Sequence, residues 1–406
     1  MKIIKADRII VGDGKKVLAD GAIAINEDGI IEDIGELQEL TMRYTNATIE
    51  TKDGCTLMPG LIDMHVHIGY WHWRKDTAEI AGSLGEITLL AVNNMKEALS
   101  CGITTLRSVA EPHGLGKALR WGFHNGYIIG PRYYTCERSI SITGGHSSAH
   151  LDSNIEANGP WEVRAAVRQN IKDGADWIKA MSSHRTHISE FSQEELNAIA
   201  DETHTLGRKC CVHAATKPSI EYAINAGFDT IEHGAFMTQE YAKKAADKGT
   251  AWVPTAYIYM YAAQYLKEEL EKKGVKPTKP ELLQIKYFED SVAAYENNFM
   301  RNYEQGIMIA TGTDIVFSDR PKTPIADEME AFCKLGLSPL ETIKCATYNP
   351  AFILGMEKEF GTVAKGLYAD LLVVDGNPLD DIKVMKNVKE VYKSGELMFE
   401  CGGNKA

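Results

Sequence analysis

The chain has 406 residues, a formal net charge of −12 at neutral pH and eight cysteines. This negative charge argues against a nucleic acid or an anionic membrane as partner, because both need a basic protein face. No apolar segment approaches the ~20 residues that span a bilayer, and the N-terminus lacks the apolar core of a signal peptide. The scattered cysteines form no CxxC pair, which is typical of reduced thiols. We therefore expect a cytoplasmic protein with no nucleic-acid or membrane partner.

Both ends of the chain have the pattern of short strands and turns. Near the N-terminus, "GAIAINEDG" and "IIEDIGE" alternate apolar with polar residues and break at Gly or Asp-Gly, which indicates hairpins. Near the C-terminus, "ADLLVVDGNP" and "VKEVYKSGELMFE" repeat the pattern. Because the middle of the chain differs, the sequence predicts one small β-sandwich domain built from residues 1–57 and 360–402.

The middle of the chain, residues 58–359, alternates strands with helices. The eight candidate strands are 57–67, 103–109, 132–140, 176–182, 209–215, 229–235, 251–257 and 307–314. Several of the helical patterns between them begin at Ser, Thr or Pro and end at Gly, as helix caps predict. This alternation predicts an α/β fold closed into a (β/α)8 TIM barrel. An open doubly wound sheet is the alternative, but no Gly-rich phosphate loop follows the first strand.

The connection at 257–300 is longer than an ordinary βα loop. Its pattern predicts two helices around a Pro/Lys turn. Since it follows the seventh strand, it is expected over the mouth of the barrel. It is either a lid or a simple helical elaboration.

The stretch "GLIDMHVHIG" (60–69) places His65 and His67 on one face of the first strand, because strand side chains alternate. Neutral histidine is the commonest metal ligand, although an isolated HxH pair is weak evidence. The active site of a (β/α)8 barrel lies at the carboxyl ends of its strands. Near the ends of four other predicted strands stand Lys179, His213, His233 and Asp314. Four imidazoles, a carboxylate and an amine at one end of one barrel predict a metal centre.

Lys179 needs a separate argument, because an ammonium cannot bind a metal. In an apolar site the pKa of the amine falls, and the neutral amine can add CO₂ to give an anionic carbamate. The two carbamate oxygens are able to bridge two metals. The alternative is an ion pair between Lys179 and a nearby carboxylate.

Five stretches together resemble the amidohydrolase superfamily, of the kind with two metals: "PGLIDMHVH", the Lys in "DWIKAMSS", "VHAAT", "IEHGA" and "ATGTD". The resemblance extends over essentially the whole chain. "SITGGHSSAH" (141–150) and the lysine on strand four further resemble the branch of Xaa-Pro dipeptidases and arginine carboxypeptidase-like enzymes, which is close to the imidazolonepropionases.

The resemblance implies a role for each ligand. His65, His67 and Asp314 would hold the first metal, and His213 and His233 the second. N-carboxylated Lys179 and a hydroxide would bridge the two divalent ions. Zinc is the ion expected from histidine and carboxylate ligands, although manganese or cobalt also fits them.

The implied reaction is hydrolysis of a C–N bond by the bridging hydroxide. Asp314 is expected to take the proton of the water and to pass it to the leaving nitrogen. His146 would contact the substrate carbonyl, and Arg185 a substrate carboxylate, while Tyr257 and Tyr259, placed on one face by strand alternation, would line the pocket. The alternatives are a backbone-bonded loop histidine, a surface arginine and tyrosines of the core.

The expected substrate is a small molecule with an amide or peptide bond, namely a dipeptide or an N-acyl amino acid. One alternative is a cyclic amide such as an imidazolone, or a carbamate or ester. An alternative of another class is a non-catalytic binding protein on the same fold. Such a protein is expected to lack one or more ligands, whereas all six positions are filled here. We also expect the chain to form a homo-oligomer.

Overall fold

The structure is a computed structural model that describes residues 1–69, 83–148, 151–183, 187–274, 276–314 and 324–402. The strands of the described residues, β1–β17 in chain order, are Lys2–Ile10, Val17–Ala19, Gly21–Ile25, Ile31–Glu36, Thr48–Pro59, Leu61–Val66, Ile103–Ser108, Arg132–Thr135, Ser139–Ser141, Asn154–Glu156, Trp177–Met181, Lys209–Ala214, Thr230–His233, Ala251–Val253, Leu371–Asp375, Val388–Lys393 and Glu396–Glu400.

The helices of the same residues, α1–α12 in chain order, are Leu37–Arg43, Leu84–Ser100, Leu115–His124, Gly159–Asp173, Gln193–Thr205, Lys217–Ala226, Gln239–Lys248, Ala256–Lys273, Lys279–Tyr303, Pro324–Lys334, Pro339–Cys345 and Tyr348–Leu354. Short 3-10 helices span Leu151–Ser153 and Ile382–Lys386. Several α-helices begin where the sequence predicts a cap; for example, Ser192 and Glu195 form a capping box before α5.

Strands from both termini share one sheet. Its order is β17-β16-β15-β5-β1-β3-β4, with β2 beside β1. The N-terminal and C-terminal parts meet where β5 runs antiparallel to β15, with Pro59 opposite Leu371. Apolar side chains of this sheet, among them Ile4, Leu57 and Val373, pack into a core of their own. The small β domain from both termini is confirmed, while its boundaries at 57 and 360 stay a prediction.

The barrel strands are parallel and follow the predicted order. One ladder contains β6, β7 and β8, and another runs from β9 through β11, β12 and β13 to β14. The Asp176 N–H joins the ladders through the Thr135 carbonyl at 2.8 Å. The eighth strand pairs at Ile309 with Trp252, and the Met64 N–H closes the barrel on the Thr311 carbonyl at 3.0 Å. The α/β class with a TIM barrel is therefore confirmed.

The long connection after the seventh strand forms two helices, α8 and α9, as predicted. Gly274, with φ +62°, ends α8 in the left-handed conformation that glycine tolerates. Thr278 and Glu281 form a capping box that begins α9. Tyr295 of α9 stacks on Trp252, with ring centroids 6.1 Å apart, so α9 belongs to the packed core. Movement of these helices as a lid stays a prediction.

Two predicted strands differ from the structure. The predicted strand 132–140 is divided into β8 and β9. The seventh strand ends at Val253, and α8 begins at Ala256, so Tyr257 and Tyr259 lie on a helix. Strand alternation therefore does not place these two tyrosines on one face. Residues two apart on a helix do not face each other.

The eight cysteines are all free thiols, six of them buried. Cys210 and Cys211 lie fully buried in β12, as their apolar surroundings lead one to expect. A search of the described residues finds no helix with both the length and the apolar character needed to cross a bilayer.

An ion pair fastens the small domain to the barrel. Arg132, the first residue of β8, pairs with the buried carboxylate of Asp370 and donates to Ser394 Oγ at 2.8 Å. The Ser394 N–H donates to the other oxygen of Asp370 at 2.8 Å. The Arg132 guanidinium also lies 5.0 Å from the centre of the Phe360 ring. Removing Asp370 would leave a half-buried guanidinium without its anion.

We expect Asp370→Ala to lower the free energy of unfolding by about 3 kcal/mol, because one partner of a buried pair is left unpaired. Urea unfolding followed by circular dichroism measures the change. Lys243→Ala, which breaks an exposed pair with Asp247 on α7, is the control and should cost less than about 1 kcal/mol. Equal effects of the two substitutions would contradict the role given to Arg132 and Asp370.

Candidate metal centre

Three predicted ligands form a tight cluster at the carboxyl ends of the first and eighth strands. The metal-binding atoms of His65, His67 and Asp314 all lie within 4.8 Å of one another. Asp314 Oδ1 is 3.6 Å from His65 Nε2 and 3.4 Å from His67 Nε2. As strand alternation predicts, the two histidines point to the same side. The Asp314 N–H donates to the His65 carbonyl at 2.8 Å, which ties the two strand ends together.

His233 and His213 extend this cluster around the barrel. The His233 ring centroid is 5.0 Å from that of His65, and His233 Nδ1 is 3.9 Å from Asp314 Oδ2. The ring of His213 in turn lies 4.4 Å from His233, centroid to centroid. The structure therefore brings together the four histidines and the aspartate that the sequence singles out.

The backbone is strained where these strands end. His233, Thr255 and Asp314 have φ of +66°, +50° and +47°, a conformation that costs non-glycine residues roughly 1–3 kcal/mol each. In β13, Thr230 and Glu232 already share one face by alternation, and regular alternation would point His233 to the other. With its left-handed φ, His233 instead has its ring beside that of His65.

The electrostatic state of the cluster suits a cation. Burial, with help from the nearby Lys179 charge, holds the pKa of His65 well below its usual value, and burial lowers the pKa of His233 to about 4. Burial alone would raise the pKa of Asp314, but the neighbouring His65, His67 and His233 outweigh it and lower the pKa. The hydrogen bond with Asp314 outweighs burial and raises the pKa of His67, so a metal bound there would displace the proton between these two groups. Neutral imidazoles beside an ionised carboxylate are the forms that bind a metal, and His65, His233 and Asp314 fit a divalent ion.

Lys179 is almost fully buried in β11, at 1% exposure. Within the part of the chain that the structure describes, its ammonium forms neither a hydrogen bond nor an ion pair. Its charge lowers the pKa of His65, His213 and His233, which places it beside the histidine cluster. The ion pair weighed as an alternative from the sequence is therefore not formed. An unpaired buried ammonium is costly, and modification of the amine would remove that cost.

A buried ion pair lies beneath His65, and the sequence analysis missed it. Glu232 Oε2 is 2.6 Å from His65 Nδ1, and Arg107 donates to Glu232 Oε1 at 2.8 Å. Arg107 also donates to the Met64 carbonyl at 2.7 Å. The contact with Glu232 orients the ring, with Nε2 toward Asp314. A charged residue inside an apolar strand, as in "GITTLRSV" and "IEHGA", is the signal that points to such a pair.

Two other candidate ligands, His67 and His233, are oriented by similar contacts of their ring Nδ1 atoms. His67 Nδ1 lies 3.1 Å from the Ala110 carbonyl, to which its N–H donates, and His233 Nδ1 is 2.7 Å from Thr255 Oγ1. Asp63, also missed from the sequence, accepts the backbone N–H groups of His65 and Thr313, both at 3.1 Å. Burial raises the pKa of Asp63 to about 7. Asp63 thus joins the first and eighth strands directly below the cluster.

The structure describes three of the four residues predicted to contact substrate. The His146 ring centroid is 4.4 Å from that of His213, so this loop histidine lies next to the cluster. Tyr259 is buried, with its ring 5.6 Å from His233, while the Tyr257 ring lies 6.1 Å from Tyr261 along the same helix. Arg185 falls outside the described residues. The substrate roles of all four residues stay predictions.

Known proteins resemble this chain over almost its whole length. The model of the Amidohydrolase family matches residues 56–398, and the chain belongs to that family. It is 30% identical to ochratoxinase of Aspergillus niger, over 97% of this chain and 86% of that protein. Imidazolonepropionase of Treponema denticola is 23% identical, over 99% of this chain and 98% of its own. A solved Xaa-Pro dipeptidase with methionine bound in its active site has a TM-score of 0.85 and 29% identity, covering 98% of this chain and 100% of that one.

The protein is thus a metal-dependent amidohydrolase that acts on carbon–nitrogen bonds, with its candidate metal site at His65, His67 and Asp314. The alternative of a non-catalytic binding protein is set aside. The family resemblance stated from the sequence motifs is confirmed.

We expect Glu232→Gln to weaken metal binding by about 10–100-fold, because the partner that orients His65 loses its charge. Dialysis against graded chelator, followed by metal analysis, measures the affinity. Glu202→Gln is the matched control, since Glu202 is also buried and paired with arginines, Arg164 and Arg168, on the outer helices. Metal affinity that falls equally in both variants would indicate general destabilisation instead.

Proposed function

We propose that this protein hydrolyses the amide bond of a dipeptide or an N-acyl amino acid with two divalent metal ions. The observation that carries the proposal is the cluster of His65, His67 and Asp314, adjoined by two further histidines and a buried lysine that has no ionic partner among the described residues. The three-residue cluster supplies one site. His213 and His233, whose rings are 4.4 Å apart, supply ligands for a second.

Lys179 is the residue we assign to the bridge between the two ions, in its N-carboxylated form. Its burial, its lack of a counter-charge in the described residues and its position beside the histidines support this assignment. Zinc is the ion that this set of imidazole and carboxylate ligands favours. When bound, a metal pair lowers the pKa of water so that hydroxide is available near neutral pH, and it polarises a carbonyl.

The side chains of the protein itself supply proton transfer and positioning. Asp314 stays ionised at neutral pH because three histidines surround it, so its carboxylate is able to accept the proton of the attacking water. The same carboxylate then delivers the proton to the leaving nitrogen. His146, beside His213, is assigned to the substrate carbonyl, and Tyr259 to the pocket wall.

The relatives support the class of substrate. Ochratoxinase and Xaa-Pro dipeptidase, at 30% and 29% identity, match almost the whole chain. The dipeptidase structure contains methionine in its active site, so the site of that relative accommodates a free amino acid. We assign Arg185 to the substrate carboxylate and Tyr257 to the outer pocket. Free thiols throughout the chain support a cytoplasmic location, and a homo-oligomer remains part of the proposal.

The test of the proposed function is a substrate screen with the zinc-loaded protein. We expect turnover of dipeptides, Xaa-Pro included, or of N-acyl amino acids, with kcat falling by at least about 10²-fold in Asp314→Asn because the proton carrier is lost. Asp314→Asn, purified in the same way, also reveals any contaminating peptidase. Turnover confined to imidazolones, carbamates or esters would replace the proposed substrate class.

The carbamate on Lys179 has its own test. Metal-free protein reconstituted with zinc and ¹³C-bicarbonate should show a carbamate carbon signal by NMR, and its catalytic centre should bind about two ions per chain. Lys179→Arg keeps the positive charge but cannot form the carbamate, and should lose the signal and most of the activity. Lys209, whose amine already donates to the Ile353 carbonyl, provides the control Lys209→Arg. A signal that survives in Lys179→Arg, or is missing from the wild type, would contradict the assignment.

A further inference from the structure

A second group of metal-ligating side chains lies at the opposite end of the barrel from the candidate metal centre. His204 is in the last turn of α5, Cys210 is the second residue of β12, and Asp229 directly precedes β13. Both strands begin here, so the group lies at the amino-terminal face, while the catalytic centre is at the carboxyl ends of the strands. The ligand atoms of the three residues lie within 4.8 Å of one another.

The distances among these atoms match the size of a transition-metal ion. His204 Nε2 is 2.9 Å from Asp229 Oδ2, and Cys210 Sγ is 3.9 Å from that nitrogen and 3.7 Å from that oxygen. The point in the plane of these three atoms that is equidistant from them is about 2.1 Å from each, and an ion above the plane lies somewhat farther away. Zinc bonds are about 2.0–2.2 Å to nitrogen and oxygen and about 2.3 Å to sulfur, so only a small shift of the sulfur is needed.

The surroundings leave room for the remaining ligand. The His204 side chain is 43% exposed and that of Asp229 25%, whereas Cys210 is fully buried. Asp229 Oδ2 is held in place by the Cys210 N–H at 2.8 Å, as the ligands of metal sites commonly are. A tetrahedral ion held by the three side chains would face solvent on its fourth side.

We propose that His204, Cys210 and Asp229 bind a divalent zinc-type metal ion, with water as the fourth ligand. A thiolate, an imidazole and a carboxylate favour zinc or cobalt over magnesium or calcium, which prefer oxygen ligands alone. The proposal does not depend on the catalytic function, because none of the six predicted ligands of the catalytic centre is a cysteine.

Metal binding releases the proton of the Cys210 thiol. Burial and the neighbouring Asp229 raise the pKa of the Cys210 thiol well above its usual value. The metal–sulfur bond therefore forms as the S–H bond breaks, and the proton leaves to solvent. No electron is transferred, so no oxidant or reductant is needed. The competing interpretation is a simple pair between His204 and Asp229, in which the thiol takes no part.

A metal at this place would stabilise the barrel. It would connect the end of α5 to the beginnings of β12 and β13, in addition to the strand ladder between β12 and β13. Because the ion binds only the folded arrangement, it adds binding free energy to the stability of the fold. We expect no effect on turnover, since the two groups lie at opposite ends of the barrel strands.

Cobalt titration of the full-length protein, kept reduced with a phosphine, distinguishes the two sites. Cobalt bound to a thiolate gives a near-ultraviolet charge-transfer band, which the sulfur-free catalytic centre does not produce. We expect the band in the wild type and its loss in Cys210→Ser. His204→Gln should weaken the cobalt affinity measured from this band by about tenfold or more. The same substitution should reduce the rise in Tm that cobalt produces. The control is His124→Gln, an exposed histidine in the last turn of α3, which should behave as the wild type.

Two results would overturn the proposal. One is the absence of the charge-transfer band in the wild type, and the other is its persistence in Cys210→Ser, which would place the bound thiolate elsewhere. If Cys210→Ser does not fold, the surface variant His204→Gln decides: cobalt affinity equal to that of the wild type overturns the site. The catalytic proposal is judged separately by turnover, which should be unchanged in both variants.

Discussion

The carboxylate of Asp314 is the group on which the candidate centre depends. It lies within 4 Å of nitrogens from His65, His67 and His233, so one negative charge connects the first, sixth and eighth strands. The surrounding histidines lower its pKa, while burial keeps His65 and His233 neutral. The arrangement places an anion and neutral lone pairs around one small volume, which is the environment that a divalent cation favours.

The barrel maintains this arrangement through a buried polar layer beneath the ligands. Glu232 and Arg107 form a pair below His65, and Asp63 joins the first and eighth strands. Buried charges are expensive unless they are paired and hydrogen-bonded, and here Glu232 and Arg107 pair with each other while Asp63 accepts two backbone N–H groups. Lys179 lies near this layer, but its ammonium has no ionic partner among the described residues. A covalent modification that turns the cation into an anion would resolve this imbalance.

The two ends of the barrel have different chemistry. The carboxyl ends of the strands contain imidazoles, carboxylates and an amine, together with backbone strain at His233, Thr255 and Asp314. The amino-terminal end presents the thiol of Cys210 between a histidine and an aspartate. An ion that connects a helix to two strands contributes to stability, because it binds only the folded arrangement. The metal proposed at the amino-terminal end would therefore act on the lifetime of the fold and leave the reaction unchanged.

Much of the fold and most of the candidate ligands could be predicted from local pattern. Apolar alternation and helix caps located the barrel strands, except that the predicted third strand is divided into β8 and β9 and the seventh ends early. "HVH" followed by single residues at later strand ends identified the histidines and Asp314. These inferences succeed because side-chain direction in a strand and the position of a barrel active site follow from backbone geometry. The family motifs then added roles that composition and spacing alone do not supply.

Only the tertiary structure decided which residues distant in sequence make contact. Arg107 and Glu232 are 125 positions apart, and His204 meets Asp229 across a helix and a strand, so no local periodicity reveals either pair. The turn of His233 toward His65 requires a positive φ that its neighbours do not signal, and the early start of α8 placed Tyr257, the last residue of the predicted seventh strand, on a helix. Local sequence determined which elements form. Which buried charges meet was decided by closure of the barrel, because only closure brings those strands side by side and removes water from between them.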